Sequence, residues 1–387
     1  MKSFKIQTLI LIAIAFMLGM SEFIIVGILG DIADTFHVEI STAGLLTTIF
    51  AGVYAVSTPI LSLMVGERRL DKVMVLILSI FIFGNILSAV SPNFFVLTIS
   101  RVITALVSGI TISIAITFAT YITPPNKRAW IVSWVFSGFS IASVFGVPTG
   151  TWLSNQVGWH ITFWIIAALS FLILIAFVIA LPHDLRQKKV DHFTDQFKIF
   201  KDKLILLGIF VPVLMTGGGY VVYTYVTPML TNSFGYSIDF VTVFLIIYGI
   251  ASLIGNQVAG RLASRDGMKR IFKFYILQEI VLLGISIFFK VSAIDLVLII
   301  ILGFTLALAG ATTQLFYMHI AEVKYPQSLV LASSFNPIFT NVGIAVGSAT
   351  GGIIVNSIGM PFLGFGGAIY TAILLVDLWL INHKFSN

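Results

Sequence analysis

The sequence predicts an all-α integral membrane protein with twelve transmembrane helices in two pseudo-symmetric six-helix bundles. Three observations predict it: the composition, the repeated long apolar runs, and the one-sided placement of basic residues. Of 387 residues, 58% are hydrophobic and 10% are charged, and the mean hydropathy is +1.05. Because a soluble domain carries about 25% charged residues, this composition excludes a water-soluble fold. The absence of Cys excludes disulfides and thiolate metal sites.

Twelve apolar runs are each long enough to cross a bilayer, which takes about 20 residues. They cover residues 6–30, 41–64, 73–90, 96–121, 129–154, 161–181, 204–230, 238–260, 271–290, 294–318, 328–355 and 360–382. The first run follows Lys2 and Lys5 and therefore looks like a signal peptide. It is too long for the apolar region of a signal peptide, and we expect it to be retained.

The basic residues predict the orientation of these spans. The N-terminus, the connections from even to odd spans and the C-terminus together hold 20 of the 22 Lys and Arg residues. Of the other two, Lys290 lies in an outer connection and Arg101 lies within a span. Since basic residues concentrate on the cytoplasmic side, both termini are predicted to be cytoplasmic. The net charge of +6 therefore reports topology, and we expect no nucleic-acid partner.

A polar segment divides the chain into two halves. We predict an N-terminal bundle (1–181), a cytoplasmic linker (182–203) and a C-terminal bundle (204–387). Within the linker, Phe193, Phe197, Phe200 and Leu204 recur at helical spacing. This spacing favours an amphipathic helix lying in the membrane interface, and a solvated linker is the alternative.

The two halves also share a sequence repeat. FGVPTGTWLSNQVGW (145–159) aligns without gaps to VGSATGGIIVNSIGM (346–360), at an offset of 201 residues. This alignment places the fifth span in register with the eleventh. Parallel repeats of six spans are typical of secondary transporters.

Four motifs can be compared with known families. They are GRLASRDGMKR (260–270), its degenerate first-half copy GERRLDK (66–72), Arg101 followed by Gly109, and the fifth-span set Gly138, Gly146, Pro148 and Gly150. Together they resemble the major facilitator superfamily of secondary transporters over the whole chain. SEFIIVGILGDIA (21–33) and GWHITF (158–163) resemble its drug:proton antiporter branch, which includes arabinose, sugar and purine efflux permeases. Gly30 departs from that branch, where a Pro is usual.

The resemblance implies a transporter of the bacterial inner (plasma) membrane that works by alternating access. Its partners would be a small-molecule substrate and the lipid bilayer, and we expect a monomer. It would need no cofactor, because the proton gradient supplies the energy.

Three charged residues lie deep within predicted spans. A charge near the bilayer centre costs about 3 to more than 10 kcal/mol, and burial favours the neutral form of a carboxyl group. Glu22 is therefore either a proton carrier or a hydrogen-bonded structural residue. Arg101 keeps its proton, and the family fold implies that it senses Glu22 or clamps the helices. For Glu279 we favour a structural pair or snorkelling, and Asp377 reads as interfacial.

Two further groups are predicted from the resemblance. Asp71, Arg261, Arg265 and Asp266 would form a cytoplasmic gate of ion pairs, or would serve only as topology charges. Small residues and a proline in spans five and eleven would line the interface on which the halves rock, although simple helix packing explains them as well. These are Gly146, Pro148, Gly150, Gly347 and Gly351, with Gly343 beside them.

Polar and aromatic residues of the later spans are candidates for a substrate cavity. They are Tyr220, Tyr223, Tyr225, Gln314, Asn336 and Asn341, with Thr312 and Thr313 beside Gln314. Buried amides and phenols need hydrogen-bond partners, and a ligand can be one. Such a set suits neutral or cationic, partly apolar organic molecules, and it suits sugars and nucleobases equally.

The sequence therefore predicts a proton-coupled antiporter that exports a small organic molecule such as a drug, a sugar or a purine-like compound. The alternative is a proton-coupled importer of a sugar or nucleoside. A membrane-embedded lipid-processing enzyme is the least favoured reading, because HExxH and GxSxG are missing. A phosphate-binding GxxxxGK[ST] loop is also missing, so we expect no enzymatic activity.

Overall fold

The computed structural model describes residues 4–65, 68–124, 128–185, 197–263, 267–289, 291–325 and 329–385. The described part of the first half contains α1 (Phe4–Phe36), α2 (Ile40–Val65), α3 (Leu70–Ala89), α4 (Phe94–Ile122), α5 (Arg128–Ile141), α6 (Val147–Val157) and α7 (His160–Ala180). That of the second half contains α8 (Lys203–Tyr223), α9 (Ile238–Ala263), α10 (Gly267–Ile287), α11 (Ser292–Leu306), α12 (Ala309–Lys324), α13 (Leu329–Ser357) and α14 (Leu363–Phe385). These described residues form no β-strand.

These helices make the twelve predicted crossings. A π-helical turn at Ala142–Gly146 joins α5 to α6, so the two helices form one crossing. Likewise, α11 and α12 follow each other with only Ala307 and Leu308 between them. Within the described residues, nine helical stretches are individually long and apolar enough to span a membrane. The prediction of an all-α membrane protein with twelve spans is confirmed.

Contacts between residues divide the chain into two compact units. The first unit comprises Met1–Glu39, Ile49–Lys189 and Ser237–Ile246, and the second comprises Ile40–Thr48, Val190–Tyr236 and Ile247–Asn387. The predicted boundaries at 181 and 203 stay a prediction.

The sequence repeat recurs in the packing of each unit. In the first unit, a Cβ atom on Gly150 of α6 would meet Ile24 of α1. In the second, a Cβ atom on Gly351 of α13 would meet the carbonyl oxygen of Val221 in α8. Gly351 lies 201 residues after Gly150, and Val221 lies 197 residues after Ile24. The fifth span therefore packs on the first in the same register as the eleventh packs on the seventh.

The same offset relates two interruptions of the helical backbone. Ile28 within α1 has φ −114° and ψ 15°. Tyr225, which lies 197 residues later and just beyond α8, has φ −107° and ψ 11°. Pro228 explains the second interruption, because it lacks the N–H that would bond to the carbonyl of Thr224. The pseudo-symmetry thus extends to local backbone geometry.

Both described ends of the predicted linker are attached to helices. At its start, the Leu70 N–H donates to the Leu185 carbonyl at 2.8 Å. At its end, Phe197–Lys201 forms a 3₁₀ turn, in which Ile199 is fully buried in the core of the second unit. Of the predicted interfacial helix, Phe193 lies outside the described residues, and the orientation of such a helix towards lipid stays a prediction.

Candidate functional site

Arg101 of α4 lies at the end of a buried chain of hydrogen bonds. Its Nη1 donates to Ser21 Oγ of α1 at 3.2 Å, and the Ser21 hydroxyl donates to Asn85 Oδ1 of α3 at 3.1 Å. Asn85 Nδ2 in turn donates to the Phe81 carbonyl at 2.9 Å. Arg101, Ser21 and Asn85 are all 0% exposed. Three helices of the first unit are therefore joined at one guanidinium group.

Aromatic rings surround this cation. The Cζ atom of Arg101 lies 4.4 Å from the ring centroid of Phe50 and 6.0 Å from that of Phe163. A cation over an aromatic face is stabilised most when water is excluded, and both rings are buried. Among the described residues, no group accepts a hydrogen bond from Nε or Nη2 of Arg101. The guanidinium thus keeps two donors available to an acceptor.

Glu22 follows Ser21 in α1 and is only partly buried. It interacts electrostatically with Arg101 and with Tyr54 of α2, a residue that packs against Phe50. Within the described part of the chain, Glu22 forms neither an ion pair nor a hydrogen bond. The two residues predicted for proton coupling therefore lie close enough to interact while remaining unpaired.

Sequence reasoning did not identify Ser21, Asn85, Phe50 and Phe163 as parts of this site. A Ser and an Asn are common in membrane helices, and their sequence neighbourhoods give no sign that they meet Arg101. The only available signal was the charge of Arg101 itself, which needs buried partners.

The predicted cavity tyrosines of the second unit form an aromatic cluster. Tyr223 stacks on Tyr248 of α9, with ring centroids 4.7 Å apart and an interplanar angle of 12°. Tyr220 meets Tyr223 edge to face at 5.3 Å. Tyr223 and Tyr248 are each 5% exposed, whereas Tyr220 is partly exposed. Tyr225 is separate from this cluster and donates from its hydroxyl to the Ser348 carbonyl at 3.3 Å.

The predicted asparagines donate their hydrogen bonds to protein groups, Asn336 of α13 to α12 and Asn341 to its own helix. Asn336 Nδ2 donates to the Gly310 carbonyl at 2.9 Å and to Thr313 Oγ1, next to the break between α11 and α12. Asn341 Nδ2 donates to the Pro337 carbonyl at 3.1 Å, and its Oδ1 has no partner among the described residues. Gln314 is partly exposed. Within the described part of the chain, Asn341 therefore keeps one unbonded acceptor, and contact of any of these three residues with a ligand stays a prediction.

Of the four predicted gate residues, the structure describes the side chain of Asp71. Asp71 pairs with Arg69 at 2.9 Å, and Arg69 pairs with Asp184 at 2.7 Å. The hydrogen bond from Arg69 to Asp71 raises the pKa of the guanidinium, with Asp184 adding to the effect. The side chain of Arg261 is not described, and Arg265 and Asp266 lie outside the described residues. The gate stays a prediction.

The motif glycines pack helices together within each unit. Gly146 faces Met20 of α1, Pro148 follows the π-helical turn, and Gly347 faces the backbone of Gly217 in α8. Such close approach is what small residues allow in membranes. A role for these residues in rocking stays a prediction.

Three further carboxyl groups are embedded in the second unit. Glu279 is partly exposed, Asp377 is 7% exposed and Asp295 is 0% exposed. Each has at least one oxygen without a hydrogen-bond partner in the described part of the chain. The structural pair expected for Glu279 is not found among those residues, and Asp295 was missed by sequence reasoning. The described residues contain no cluster of three or more groups that could hold a metal ion.

Comparison with known proteins shows which family the chain resembles. The family model of the Major Facilitator Superfamily matches residues 11–330. The uncharacterized MFS-type transporter YtbD of Bacillus subtilis is 34% identical over 97% of this chain and 95% of its own. A probable sugar efflux transporter of Helicobacter pylori is 28% identical over 96% of this chain and 94% of its own.

A solved structure shows the same fold. The nucleoside transporter NupG has a TM-score of 0.75 at 16% identity, covering 98% of this chain and 100% of that one. The family model and the similar curated proteins describe a multi-pass inner membrane transporter rather than an enzyme. The chain therefore belongs to the major facilitator superfamily.

Proposed function

We propose that the chain is a proton-coupled antiporter that exports a small organic molecule by alternating access. The relatives named as probable sugar efflux transporters, at 28% identity, support export and make sugars the first substrates to test. Each proton that enters down a potential of 100 mV supplies about 2.3 kcal/mol, which supports roughly fifty-fold accumulation. The proposal needs no cofactor and no partner beyond the substrate and the bilayer.

The arrangement of Glu22 and Arg101 carries this proposal. Arg101 is fully buried, with two donor nitrogens, Nε and Nη2, that have no acceptor among the described residues, and Glu22 lies near it without an ion pair. A buried, charged donor without an acceptor costs free energy. An ionised Glu22 would offset that cost by turning towards Arg101, and a protonated Glu22 would have no such drive.

Two arrangements of this pair would provide the coupling. Proton binding would release Glu22 from the field of Arg101, and proton loss would draw it back. If substrate binding prefers one arrangement, proton binding and substrate binding oppose each other, because linkage is reciprocal. That opposition is the thermodynamic requirement of an antiporter.

The test is reconstitution into liposomes with an imposed pH gradient. Flux of sugars, nucleobases and cationic dyes would be measured for the wild type, Glu22→Gln and Glu279→Gln. Glu279→Gln is the matched control, because it removes another embedded carboxyl group that lies in a different unit. We expect proton-driven flux in the wild type and the control, and its loss in Glu22→Gln.

The same assay separates the alternatives. Substrate that moves against the proton flow indicates an antiporter, whereas substrate that moves with the protons indicates a symporter. Unchanged proton-driven flux in Glu22→Gln would show that the proposed coupling residue is wrong.

A further inference from the structure

We propose that Asn85 is a positioning residue that sets where the charge of Arg101 lies relative to Glu22, acting through Ser21. This inference rests on the proposed role of Glu22 in proton coupling. It concerns a residue of α3 whose side chain hydrogen-bonds to Ser21 and to the Phe81 carbonyl, and not to Glu22.

The direction of each hydrogen bond in the chain is fixed by chemistry. Arg101 can only donate, so Ser21 must accept from Nη1 and must place its own proton elsewhere. That proton goes to Asn85 Oδ1. The Asn85 amide is itself oriented, because its Nδ2 donates to the Phe81 carbonyl, which can only accept. The backbone of α3 therefore determines the position of the guanidinium on α4.

This chain also determines what Glu22 meets. Ser21 directly precedes Glu22, and its hydroxyl proton is committed to Asn85 rather than to the carboxyl group. Nη1 of Arg101 is held on Ser21, which leaves Nε and Nη2 as the donors that Glu22 could reach. Without Asn85, both the hydroxyl and the guanidinium would be free to turn towards Glu22.

Few charged groups other than Arg101 lie on the helices that pack around Glu22. Arg101 on α4 and Tyr54 on α2 interact electrostatically with Glu22. Of the helices packed against α1, α6 carries no titratable side chain, α5 carries only Arg128 at its first residue, and α7 carries only His160 at its first residue. The position of Arg101 is therefore the main electrostatic variable at Glu22.

The second unit indicates that this network is not needed for packing. With the offset of 197 residues that relates Ile24 to Val221, Ser21 and Glu22 correspond to Gly218 and Gly219. The repeat thus folds in the second unit with no hydroxyl and no carboxyl group at those positions. The polar chain of the first unit is consequently an addition to a fold that does not require it.

Two substitutions of Asn85 should change the protonation of Glu22 in opposite directions. Asn85→Ala frees Arg101 to approach Glu22, and a closer cation favours the ionised carboxyl. Asn85→Asp adds a carboxylate that holds Arg101 and repels an ionised Glu22, which favours the protonated form. We therefore expect the pH at which Glu22 is half protonated to fall by about one unit in Asn85→Ala and to rise by about one unit in Asn85→Asp.

The probe is dicyclohexylcarbodiimide, which labels protonated carboxyl groups in apolar surroundings. Labelling of Glu22 in the purified full-length protein would be followed by peptide mass spectrometry across a pH series. This measurement needs no knowledge of the substrate. Ser88→Ala is the matched control: Ser88 also lies on α3, and its hydroxyl meets Ser100 of α4 at 2.7 Å, with both residues buried. We expect Ser88→Ala to keep the wild-type midpoint.

Opposite shifts in the two Asn85 variants, with an unchanged control, would support the inference. Equal midpoints in all variants, or shifts of the same sign, would overturn it. If these midpoints stay at the wild-type value while Glu22→Gln abolishes proton-driven flux, the positioning role fails and the proposed function stands. If the midpoints shift as expected while Glu22→Gln transports normally, Asn85 does position Arg101 but the proposed function fails.

Discussion

The guanidinium carbon of Arg101 lies 4.4 Å from the ring centroid of Phe50, and these residues are 0% and 2% exposed. A charge that cannot be neutralised is thus held against an aromatic face inside the first unit. The ring offers partial compensation for the lost hydration, while Nε and Nη2 have no hydrogen-bond acceptor among the described residues. This arrangement keeps Arg101 charged and available to Glu22.

Phe50→Leu should therefore lower the melting temperature of the purified protein more than Phe163→Leu does. Both substitutions remove a buried ring, but Phe163 lies farther from the guanidinium, at 6.0 Å. A desolvated cation–π contact is worth about 2 kcal/mol, and that difference should separate the two variants. Equal losses of thermal stability would contradict a special contribution from Phe50.

Arg101→Lys should reduce proton-driven flux at least about tenfold while the protein remains folded. Lys keeps the positive charge but lacks the planar fork that bonds Ser21 with one nitrogen and leaves others free. Loss of one hydrogen bond to a charged group costs about 1.5–3 kcal/mol, which corresponds to the expected change. Flux in liposomes at equal protein density measures it, and wild-type flux in this variant would count against the need for a guanidinium.

Much of the fold was predictable, because a bilayer constrains both the length of each apolar span and the side on which basic residues lie. Apolar runs and the placement of Lys and Arg predict spans and orientation from local sequence alone. Glu22 and Arg101 could also be identified as candidate site residues, since charged residues within apolar runs are rare and costly. Their partners Ser21 and Asn85 were not, because which face of a helix meets which neighbour depends on tertiary packing.

The predicted substrate residues show the same limit. Asn336 and Tyr225 are polar groups within spans, and a ligand would satisfy them. The structure instead gives them protein acceptors, the carbonyls of Gly310 and Ser348. A buried polar group needs a partner, but sequence does not indicate whether that partner is a ligand or another helix.

Gly347→Ala should destabilise the second unit. A Cβ atom there would lie 2.9 Å from the Cα atom of Gly217, and backbone atoms cannot move aside without shifting α8 or α13. Overpacking of this kind costs about 1–3 kcal/mol, which should appear as a lower melting temperature.

Two other glycines serve as controls for that prediction. At Gly146, the added methyl group would meet the Met20 side chain, which is flexible and can yield. At Gly52, nothing lies within 4 Å. We expect Gly146→Ala to cost less than Gly347→Ala, and Gly52→Ala to be neutral or slightly stabilising. The opposite order would show that these contacts do not limit helix packing.

Arg69 forms ion pairs with two acids, and we expect these acids to contribute unequally to the stability of the first unit. Asp71 has a side chain that is 9% exposed, whereas that of Asp184 is 68% exposed, and both pair with Arg69. Asp71→Asn should lower the melting temperature clearly, because it removes the buried carboxylate that pairs with Arg69 and leaves a neutral amide in its place. Asp184→Asn should change it little, because exposed ion pairs are weak.

Asp184 also allows charge and backbone strain to be separated. Its φ of 67° lies in the left-handed region, which Asn and Asp tolerate better than other residues with a side chain. Asp184→Asn removes only the charge, whereas Asp184→Ala also places Ala in that conformation, at a cost of about 1–2 kcal/mol. Asp184→Ala should therefore melt at a lower temperature than Asp184→Asn, at both low and high salt. If the two variants melt together, backbone strain at Asp184 makes no contribution, and the segment is held only by charge and by the hydrogen bond between Leu70 and Leu185.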